Sequence, residues 1–417
     1  MAQARADQTQ TPLRIEDAVS LAVARNERAK ITDLNVKVAD AALDRARTAF
    51  FPTVGVGGTY TQHPDDVVAA GKNSYNALAS VTVTQPVLNA SAFPLYAEAK
   101  RNLEAQEAQT VDDKRTLGFD AARAFFVALS SDAVLAAANT RLDTAKANLA
   151  DTHERVIGQY VSTNDETRAT IDYANAIHDV EVDKGQAQVA YVALAFTINA
   201  PIPAKLERPE AILAAGKAPV PTATGLVQLA FSRRADLLAH HKSAEAAHDF
   251  AAEPLLRLVP TIGLSGNFSL SSDETLLGHG FYNNESLQVT VSWPLFDAGV
   301  RYADKKSRDA QASIADWTTT ELERTVDEQV RSAAISLASA QTALTAASQA
   351  LDAAKKSAAE TEVLYKQNLA KAIELVDAND ERFLAEVTYV TAEYAVGLAY
   401  LALREAIGLD PIGTELR

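Results

Sequence analysis

The chain contains segments with the hydrophobic alternation of a β-strand and long segments with the composition of an α-helix. Over residues 287–293 apolar and polar side chains alternate strictly, which is the two-residue period of a β-strand. The alternation stops at Pro294, and residues 300–396 contain neither Gly nor Pro and are rich in Ala, Glu, Gln and Leu. The pattern predicts a short strand that leads into a helix several times the usual length.

This pattern occurs twice. FPTVGVGGTYT at 51–61 matches VPTIGLSGNFS at 259–269, and VTVTQPVLNAS at 81–91 matches VTVSWPLFDAG at 289–299, both at an offset of 208 residues. Nearer the two ends, AYVAL repeats as AYLAL at an offset of 209. The chain is therefore a tandem duplication of one unit.

Each repeat is predicted to run helix, strand, turn, strand, long helix, helix. The expected ranges are an N-terminal tail at 1–14, a first repeat at 15–200, a linker at 201–223, a second repeat at 224–411 and a C-terminal tail at 412–417. In the first repeat we expect helix over 15–50, strands near 53–63 and 77–88, and a further helix after Asn89 or Ser91. In the second we expect helix over 224–256, strands near 261–271 and 286–296, and Asp297 as a helix cap. The proline-rich linker is expected to be non-helical.

The long helices are expected to cover about 65 to 70 residues, or about 100 Å, before breaks near Gly158 and Asn368. Leucines recur at heptad spacing within them, at Leu135, Leu142 and Leu149 and again at Leu337, Leu344 and Leu351. An ordinary amphipathic core helix is one interpretation. The abundance of Ala between the leucines favours a wall of closely packed coiled coils.

The strands have the length needed to cross a bilayer at a tilt, with apolar side chains on one face and Thr, Ser, Asn and Gln on the other. The residues predicted to face the membrane are Tyr60, Phe268, Leu287, Val289, Val291 and Trp293. A half-buried sheet of a soluble protein would show the same alternation. Four strands cannot close a barrel, so the membrane interpretation requires several chains to share one.

Composition and charge restrict the partners. Of 417 residues 47% are hydrophobic but only 6% aromatic, which indicates helix packing around small side chains. The formal charge of −15 disfavours nucleic acid and favours cations or basic protein surfaces. The sequence suggests no transmembrane helix. The first dozen residues are polar, so we expect any signal peptide to be absent from this chain.

Signals for an enzyme are weak, and we predict no catalytic residues, metal or cofactor. His240, His241 and His248 lack supporting carboxylates at ligand spacing. The GVGG segment at 55–58 lies within a predicted strand instead of opening a helix, which argues against a dinucleotide site.

The two strand-to-helix junctions, the duplicated order of elements and the segment YKQNLAKAIELVDANDERF together resemble the outer-membrane efflux protein family of TolC-like channels. The resemblance covers nearly the whole chain, from Ile15 to Pro411. The first junction departs from the family pattern, because Val87-Leu88 and Ala90-Ser91 stand where an aromatic residue and paired small residues are usual.

The resemblance implies a mixed α and β fold with four strands per chain and a homotrimer that builds a twelve-stranded transmembrane β-barrel continued by an α-helical barrel. It implies a location in the bacterial outer membrane, in contact with its lipid and extending into the periplasm. The protein would be the exit duct of a tripartite efflux pump or a type I secretion system. Its partners would be a periplasmic adaptor (membrane fusion) protein and an inner-membrane transporter, with no role for nucleic acid.

The resemblance also suggests site residues. The acidic residues that would ring the periplasmic end of the pore are Glu374 and Asp377, with Asp165 and Glu166 in the other repeat. A solvated acidic helix end is the alternative for all four. The strand-to-helix junctions are marked by Pro86, Pro294, Asp297 and Gly299.

A competing hypothesis is a soluble periplasmic coiled-coil scaffold or adaptor with small sheets at one end. It explains the helices equally well, but not two pairs of bilayer-length strands with aligned apolar faces. A family member with a closed, non-conducting barrel is a third possibility.

Overall fold

The computed structural model describes residues 12–64, 75–202, 205–272, 281–413 and 416. Its helices are α1 Ile15–Arg25, α2 Glu27–Arg47, α3 Ala92–Ile157, α4 Thr163–Ile198, α5 Glu210–Gly216, α6 Ala223–Arg233, α7 Ala235–Leu256, α8 Val300–Lys366 and α9 Ala372–Ile407. Its strands are β1 Thr53–Gln62, β2 Tyr75–Leu88, β3 Thr261–Ser271 and β4 Tyr282–Ser292. The predicted fold, with long helices and four antiparallel strands in two repeats, is confirmed.

The long helices α3 and α8 have 66 and 67 residues and end close to the expected positions. Just after each end one residue adopts a left-handed conformation, Gln159 at φ 61° and Asn368 at φ 58°. Such a residue ends a helix because its backbone cannot continue the right-handed turn. The equivalence of these two positions extends the duplication to the turns themselves.

The first helix of each repeat is broken, contrary to the prediction of continuous helices over 15–50 and 224–256. The breaks fall at Asn26 and Arg234, both with extended backbone. The buried Asn26 amide donates to the carbonyl oxygen of Thr197 (2.8 Å), and its side-chain oxygen accepts from the backbone of Arg28 (2.9 Å). These bonds stabilise the extended backbone at Asn26, which the periodicity of the sequence does not predict.

The linker was predicted to be non-helical, which is wrong for Glu210–Gly216, the helix α5. Its prolines lie outside the helix, with Pro209 at the N-cap position, so they do not interrupt its backbone hydrogen bonds. Ile212 and Leu213 are buried, and a methyl group added at Gly216 would lie 3.0 Å from the side chain of Val396 in α9. Burial against α9 therefore accounts for a helix too short to form alone.

The strands form a meander in the order β1-β2-β3-β4, with every neighbouring pair antiparallel. The fourth strand begins at Tyr282 and ends at Ser292, four residues earlier at each end than expected. Asn283, Asn284 and Glu285 interrupt the apolar alternation, yet they pair in register with Leu270, Ser269 and Phe268. The segments that join β1 to β2 and β3 to β4 lie mostly outside the described residues.

The chain divides into two compact units. One comprises Met1–Asp33, Thr110–Ala235 and Leu322–Arg417, and its core includes Phe119, Phe125, Phe126, Leu194 and Tyr400. The other comprises Leu34–Gln109 and Asp236–Glu321 and contains the sheet. Within it, the guanidinium of Arg308 lies 3.6 Å from the centroid of the Phe250 ring and 2.7 Å from the buried Glu253.

In the described residues, α3 alone is long and apolar enough to cross a membrane, with an 18-residue window of mean hydropathy 1.5. The sequence, in contrast, suggested no transmembrane helix. Length and composition are weak evidence for a membrane-spanning helix, because the core helix of a soluble protein can have the same length and composition. Phe119, Phe125 and Phe126 of α3 are fully buried in the core, so we interpret α3 as a core helix.

Candidate functional site

The register gives the sheet two chemically different faces. Residues paired directly across antiparallel strands share a face, so Val56, Val81 and Phe268 lie in one row and Val54, Val83 and Leu287 lie on the same face. The opposite face carries rows such as Thr53, Thr84, Ser265 and Gln288. The apolar sets of all four strands therefore align as a single surface.

The residues predicted to face the membrane are exposed in this chain. They are Tyr60, Phe268, Leu287, Val289, Val291 and Trp293. The ring of Tyr60 stacks on Tyr75 with centroids 5.8 Å apart, and the indole of Trp293 donates to the carbonyl oxygen of Leu258 at 2.9 Å. An aromatic ring with one polar hydrogen bond and one exposed apolar side is typical of a boundary between water and an apolar phase.

Asp297 organises the second strand-to-helix junction. Its carboxylate accepts from the backbone N–H of Gly299 (3.1 Å) and of Arg301 (3.1 Å), in the turn where α8 begins. The buried Arg301 guanidinium donates to Asp297 (2.9 Å) and to the carbonyl oxygen of Pro294 (2.9 Å). Burial tends to raise the pKa of Asp297, but the bonds from Arg301 and Gly299 outweigh it and lower the pKa.

The two junctions differ. Strand β4 ends before Pro294, whereas β2 continues through Pro86 to Leu88 with a change of register between those two residues. Gly299 has φ 89°, a left-handed conformation that suits glycine, and the preceding Ala298 has φ 54°. The departure of the first junction from the family sequence pattern thus coincides with a different local geometry.

Two of the four predicted gate residues cap helices. Asp165 accepts from the backbone N–H of Ser162 at 3.0 Å, and Glu374 accepts from the backbone N–H of Lys371 at 3.0 Å. Each carboxylate lies in the first turn of the last helix of its repeat, α4 or α9, where the helix dipole favours negative charge. These contacts give Asp165 and Glu374 a structural role besides any effect on ions.

The other two predicted gate residues have different environments. Glu166 accepts a hydrogen bond of 2.7 Å from His153 across the turn between α3 and α4, and this bond raises the pKa of His153. Asp377 is exposed one turn after Glu374 on α9. A cavity of about 640 Å³ adjoins both turns, with Tyr160, Asp165, Arg168, Tyr365, Lys371 and Ile373 among its lining residues.

Side chains of α3 and α8 contact each other just before the two helices end. The buried Tyr365 hydroxyl lies 3.3 Å from the Thr152 hydroxyl, and the Tyr365 carbonyl oxygen accepts from Arg155 at 3.2 Å. The Arg155 guanidinium also lies 4.5 Å from the centroid of the Tyr365 ring, within cation–π distance. The partners are more than 200 residues apart, so no local sequence pattern predicts the contact.

Arg141 is the centre of an ionic cluster that no sequence pattern predicts. Its guanidinium bonds to Asp380 of α9 (2.7 Å) and to Asp172 (3.1 Å) and Asp179 of α4. Only 11% of the Arg141 side chain is exposed. Burial and the nearby Asp380 raise the pKa of Asp172, because one cation serves three carboxylates.

Ion pairs also connect the linker to Glu393 of α9. The carboxylate of Glu393, which is buried in α9, lies 2.7 Å from Arg208 and 2.8 Å from Lys217. Burial alone would raise the pKa of Glu393, but the bonds from these two cations lower it. Among the described residues no group of three His, Cys, Asp or Glu side chains could hold a metal ion.

The fold and these contacts define a two-repeat protein of long helical hairpins with one four-stranded, two-faced sheet. A family model described as outer membrane efflux protein matches residues 226–409. The resemblance seen in the sequence is therefore confirmed, and the match lies in the second repeat of the chain. Outer membrane protein TolC of Salmonella enteritidis is 23% identical over 384 residues, covering 88% of this chain and 76% of that protein.

Solved structures show the same fold. The chain resembles CusC with a TM-score of 0.83 at 16% identity, covering 95% of this chain and 92% of that one. It resembles the MtrE outer membrane channel of Neisseria gonorrhoeae, in its open state, with a TM-score of 0.80 at 18% identity, covering 96% and 91%. VceC of Vibrio cholerae gives a TM-score of 0.78 at 15% identity, covering 95% and 96%. The expected location in the bacterial outer membrane is the one named for TolC, MtrE and VceC.

Proposed function

We propose that three copies of this chain share one twelve-stranded β-barrel in the outer membrane, continued by their helices on the periplasmic side, and that solutes leave through it. The observation that carries the proposal is the sheet. Its apolar face suits lipid, and in the described part of the chain each outer strand, β1 or β4, has a neighbour on one side only. Unpaired strand edges are too costly within a bilayer, so pairing β1 with β4 of another copy would satisfy both.

We further propose that this channel is the exit duct of a tripartite efflux pump or a type I secretion system. An inner-membrane transporter would supply the energy, and a periplasmic adaptor would connect it to the channel. The relationship to the outer membrane efflux proteins supports this assignment. The location of Gly55 and Gly58 within β1 fits a channel without a nucleotide site of its own.

The exposed carboxylates of Glu374 and Asp377 are proposed to line the periplasmic entrance, with Asp165 and Glu166 contributing from the other repeat. Three copies would repeat each carboxylate around the pore axis and so favour cations. The strand-to-helix junctions at Pro86 and at Pro294, Asp297 and Gly299 would then mark the point where barrel becomes tunnel.

The experiment is purification of the full chain followed by conductance in planar lipid bilayers. We expect the protein to require detergent and to insert with discrete conductance steps. Val289→Asp, on the apolar face of β4, should reduce insertion, because a charge facing lipid is costly. Thr290→Asp, one residue later on the polar face, is the matched control and should still insert.

A scaffold or adaptor would behave differently. It would stay monodisperse without detergent, give no conductance, and tolerate an aspartate equally well at Val289 and Thr290. That result would overturn the channel proposal.

A further inference from the structure

A cavity of about 480 Å³ adjoins the last turns of α9, in the unit whose core includes Phe119 and Tyr400. It is bounded by α3, α8 and α9 and by Arg234 at the break between α6 and α7. Its volume falls within the range of about 300–1,000 Å³ that is usual for sites of small molecules. The channel proposal does not use this cavity, because its residues belong neither to the sheet nor to the turns that follow α3 and α8.

Two arginines of this cavity pack against the end of α9. A methyl group added at Gly408, the C-cap residue of α9, would lie 3.0 Å from Nη1 of Arg115 and 3.0 Å from Cγ of Arg234. The C-terminal end of a helix favours positive charge. Arg234 donates to the carbonyl oxygen of Ala406 at 3.4 Å and to the side chain of Gln329 at 2.6 Å. Its position is therefore explained by the end of α9.

The end of α9 does not explain Arg115. Only 8% of the Arg115 side chain is exposed, and its Nη2 donates to Asp112. Its Nε is buried and has no hydrogen-bond partner in the described part of the chain. A buried donor without a partner is costly and rare, so this nitrogen indicates a missing acceptor.

The duplication shows that the polar lining on α8 is not a requirement of the helix. An offset of 208 residues aligns RSAAISLAS at 331–339 of α8 with RAFFVALSS at 123–131 of α3. Three polar residues of α8 line the cavity, and each corresponds to an alanine of α3 at this offset. They are Gln329, Ser332 and Ser336, in place of Ala121, Ala124 and Ala128. The amide and the two hydroxyl groups are therefore specific to the helix that borders the cavity.

Part of the lining forms a row along α8. Glu328, Ser332 and Ser336 recur every four residues, so their side chains follow one face of the helix at intervals of about 6 Å. The row begins with a carboxylate and continues with two hydroxyl groups, and the guanidinium groups lie in the same cavity. A ligand of one sign would meet like charge here as well as opposite charge, whereas a zwitterion can pair with both. An extended dipeptide spans about 7 Å, which suits the interval from a carboxylate to the next group of the row.

We propose that this cavity binds a dipeptide with a free ammonium group and a free carboxylate group. The ammonium group pairs with Glu328. The carboxylate accepts from the hydroxyl groups of Ser332 and Ser336 and from Arg115, whose Nε gains its missing acceptor through a small rotation of the side chain. The bound dipeptide contacts α3 of the first repeat and α8 and α9 of the second, so it stabilises their packing. This proposal goes beyond the channel activity and does not depend on it.

Isothermal titration calorimetry of the full chain in detergent tests the site, with alanyl-alanine as the probe. We expect saturable binding. N-acetyl-alanyl-alanine lacks the ammonium group and alanyl-alanine amide lacks the carboxylate. Each should bind at least about tenfold more weakly, because a hydrogen bond to a charged group is lost. Absence of saturable binding at up to about 10 mM alanyl-alanine, or equal binding of the blocked peptides, would overturn the proposal.

Two variants assign the two ends of the ligand. Ser332→Ala combined with Ser336→Ala gives α8 the residues that α3 carries at the equivalent positions, so folding should be preserved. It should weaken binding of alanyl-alanine about tenfold through the loss of two donors. Glu328→Gln should weaken alanyl-alanine by a similar factor but leave N-acetyl-alanyl-alanine unchanged, because only the former has the charge that pairs with Glu328. Wild-type affinity for alanyl-alanine in both variants would refute the site.

Matched controls change the same residue types at exposed positions of α8 outside the cavity. Ser339→Ala combined with Ser357→Ala controls for the serine variant, and Glu360→Gln controls for the glutamate variant. Both controls should bind alanyl-alanine as the wild type does. A loss of binding in the controls equal to that in the cavity variants would place the ligand elsewhere and overturn the proposal.

The unfolding temperature gives a second measurement. A ligand that binds only the folded chain raises this temperature, so alanyl-alanine should stabilise the wild type more than the serine double variant. Equal stabilisation of the two proteins would contradict the proposal. Conductance in planar bilayers tests the channel separately. Binding without conductance would refute the channel and leave the site, whereas conductance without binding would refute the site alone.

Discussion

The side-chain amide of Asn26 donates a hydrogen bond of 2.8 Å to the carbonyl oxygen of Thr197, which connects the first helix break to the end of α4. In the second repeat Arg234 makes the equivalent bond to the carbonyl oxygen of Ala406 at 3.4 Å. Two chemically different side chains thus preserve one contact after duplication. Each helix break is therefore marked by a side-chain bond to a carbonyl oxygen near the end of α4 or α9, and not by one residue type.

Asn26→Ala should therefore lower the stability of the full chain. The substitution leaves the Thr197 carbonyl and the Arg28 N–H without these partners, at a cost of about 1–3 kcal/mol. Thermal and denaturant unfolding in detergent would measure it. Ser20→Ala, which removes an exposed hydroxyl from α1, is the control and should change stability by less than about 0.5 kcal/mol. Equal effects would mean that the Asn26 bonds contribute nothing.

Gly397→Ala should also destabilise the protein. A methyl group at Gly397 would lie 2.4 Å from the ring of the fully buried Phe126, so α9 and α3 would have to separate. Gly185→Ala in α4 is the matched control, because a methyl group there meets nothing within 4 Å. It should stabilise by about 0.5–1 kcal/mol through helix propensity alone. Opposite shifts in unfolding temperature are expected, and two stabilising shifts would contradict the close packing.

Local periodicity explains which parts of this fold could be predicted. The alternation that ends at Trp293 and the glycine-free run that follows it depend on neighbouring residues, so the strands and long helices could be located from sequence. The predicted start of β4 was four residues too late, because Asn283 and Asn284 pair with β3 without being apolar. The linker helix α5 was missed because its stability comes from α9.

The ionic contacts could not be predicted for a related reason. Arg141 and Asp380 are 239 residues apart, so no local sequence pattern connects them. The duplication does not reveal them either, since Ala350 and Ile171 occupy the equivalent positions. Only the capping function of Asp165 and Glu374 has a local sequence signal, an acidic residue in the first helical turn.

Asp172→Asn should change how stability depends on pH. The pKa of Asp172 is raised in the folded chain, so the folded state binds this proton more tightly than the unfolded state. The stability contributed by Asp172 is therefore present at low pH and lost as pH rises through the folded pKa. Asparagine keeps the oxygen that accepts from Arg141 but does not ionise. The variant should be more stable than the wild type near about pH 7, and the difference should shrink toward about pH 4.

Unfolding temperatures of both proteins across this range would test the expectation. Asp172→Ala is the control, because it removes the acceptor as well as the charge and should lose stability at neutral pH. A difference between Asp172→Asn and the wild type that widened on acidification would show that the Asp172 carboxylate is favoured in the folded state, contrary to the expected shift.

The gate assignment can be tested with substitutions that spare the cap. Glu374 accepts from the Lys371 N–H, so Glu374→Ala would disturb the start of α9 as well as remove charge. Glu374→Gln combined with Asp377→Asn keeps the oxygen acceptors and removes two negative charges from each copy. If these carboxylates line the entrance, the double variant should lose cation selectivity and block by multivalent cations, because the rings of like charge are gone. Asp352→Asn with Glu360→Gln removes the same charge from exposed positions on α8 and should leave both properties unchanged. Reversal potentials across a salt gradient in planar bilayers provide the measurement, and equal selectivity in the two double variants would reject a gating role for Glu374 and Asp377.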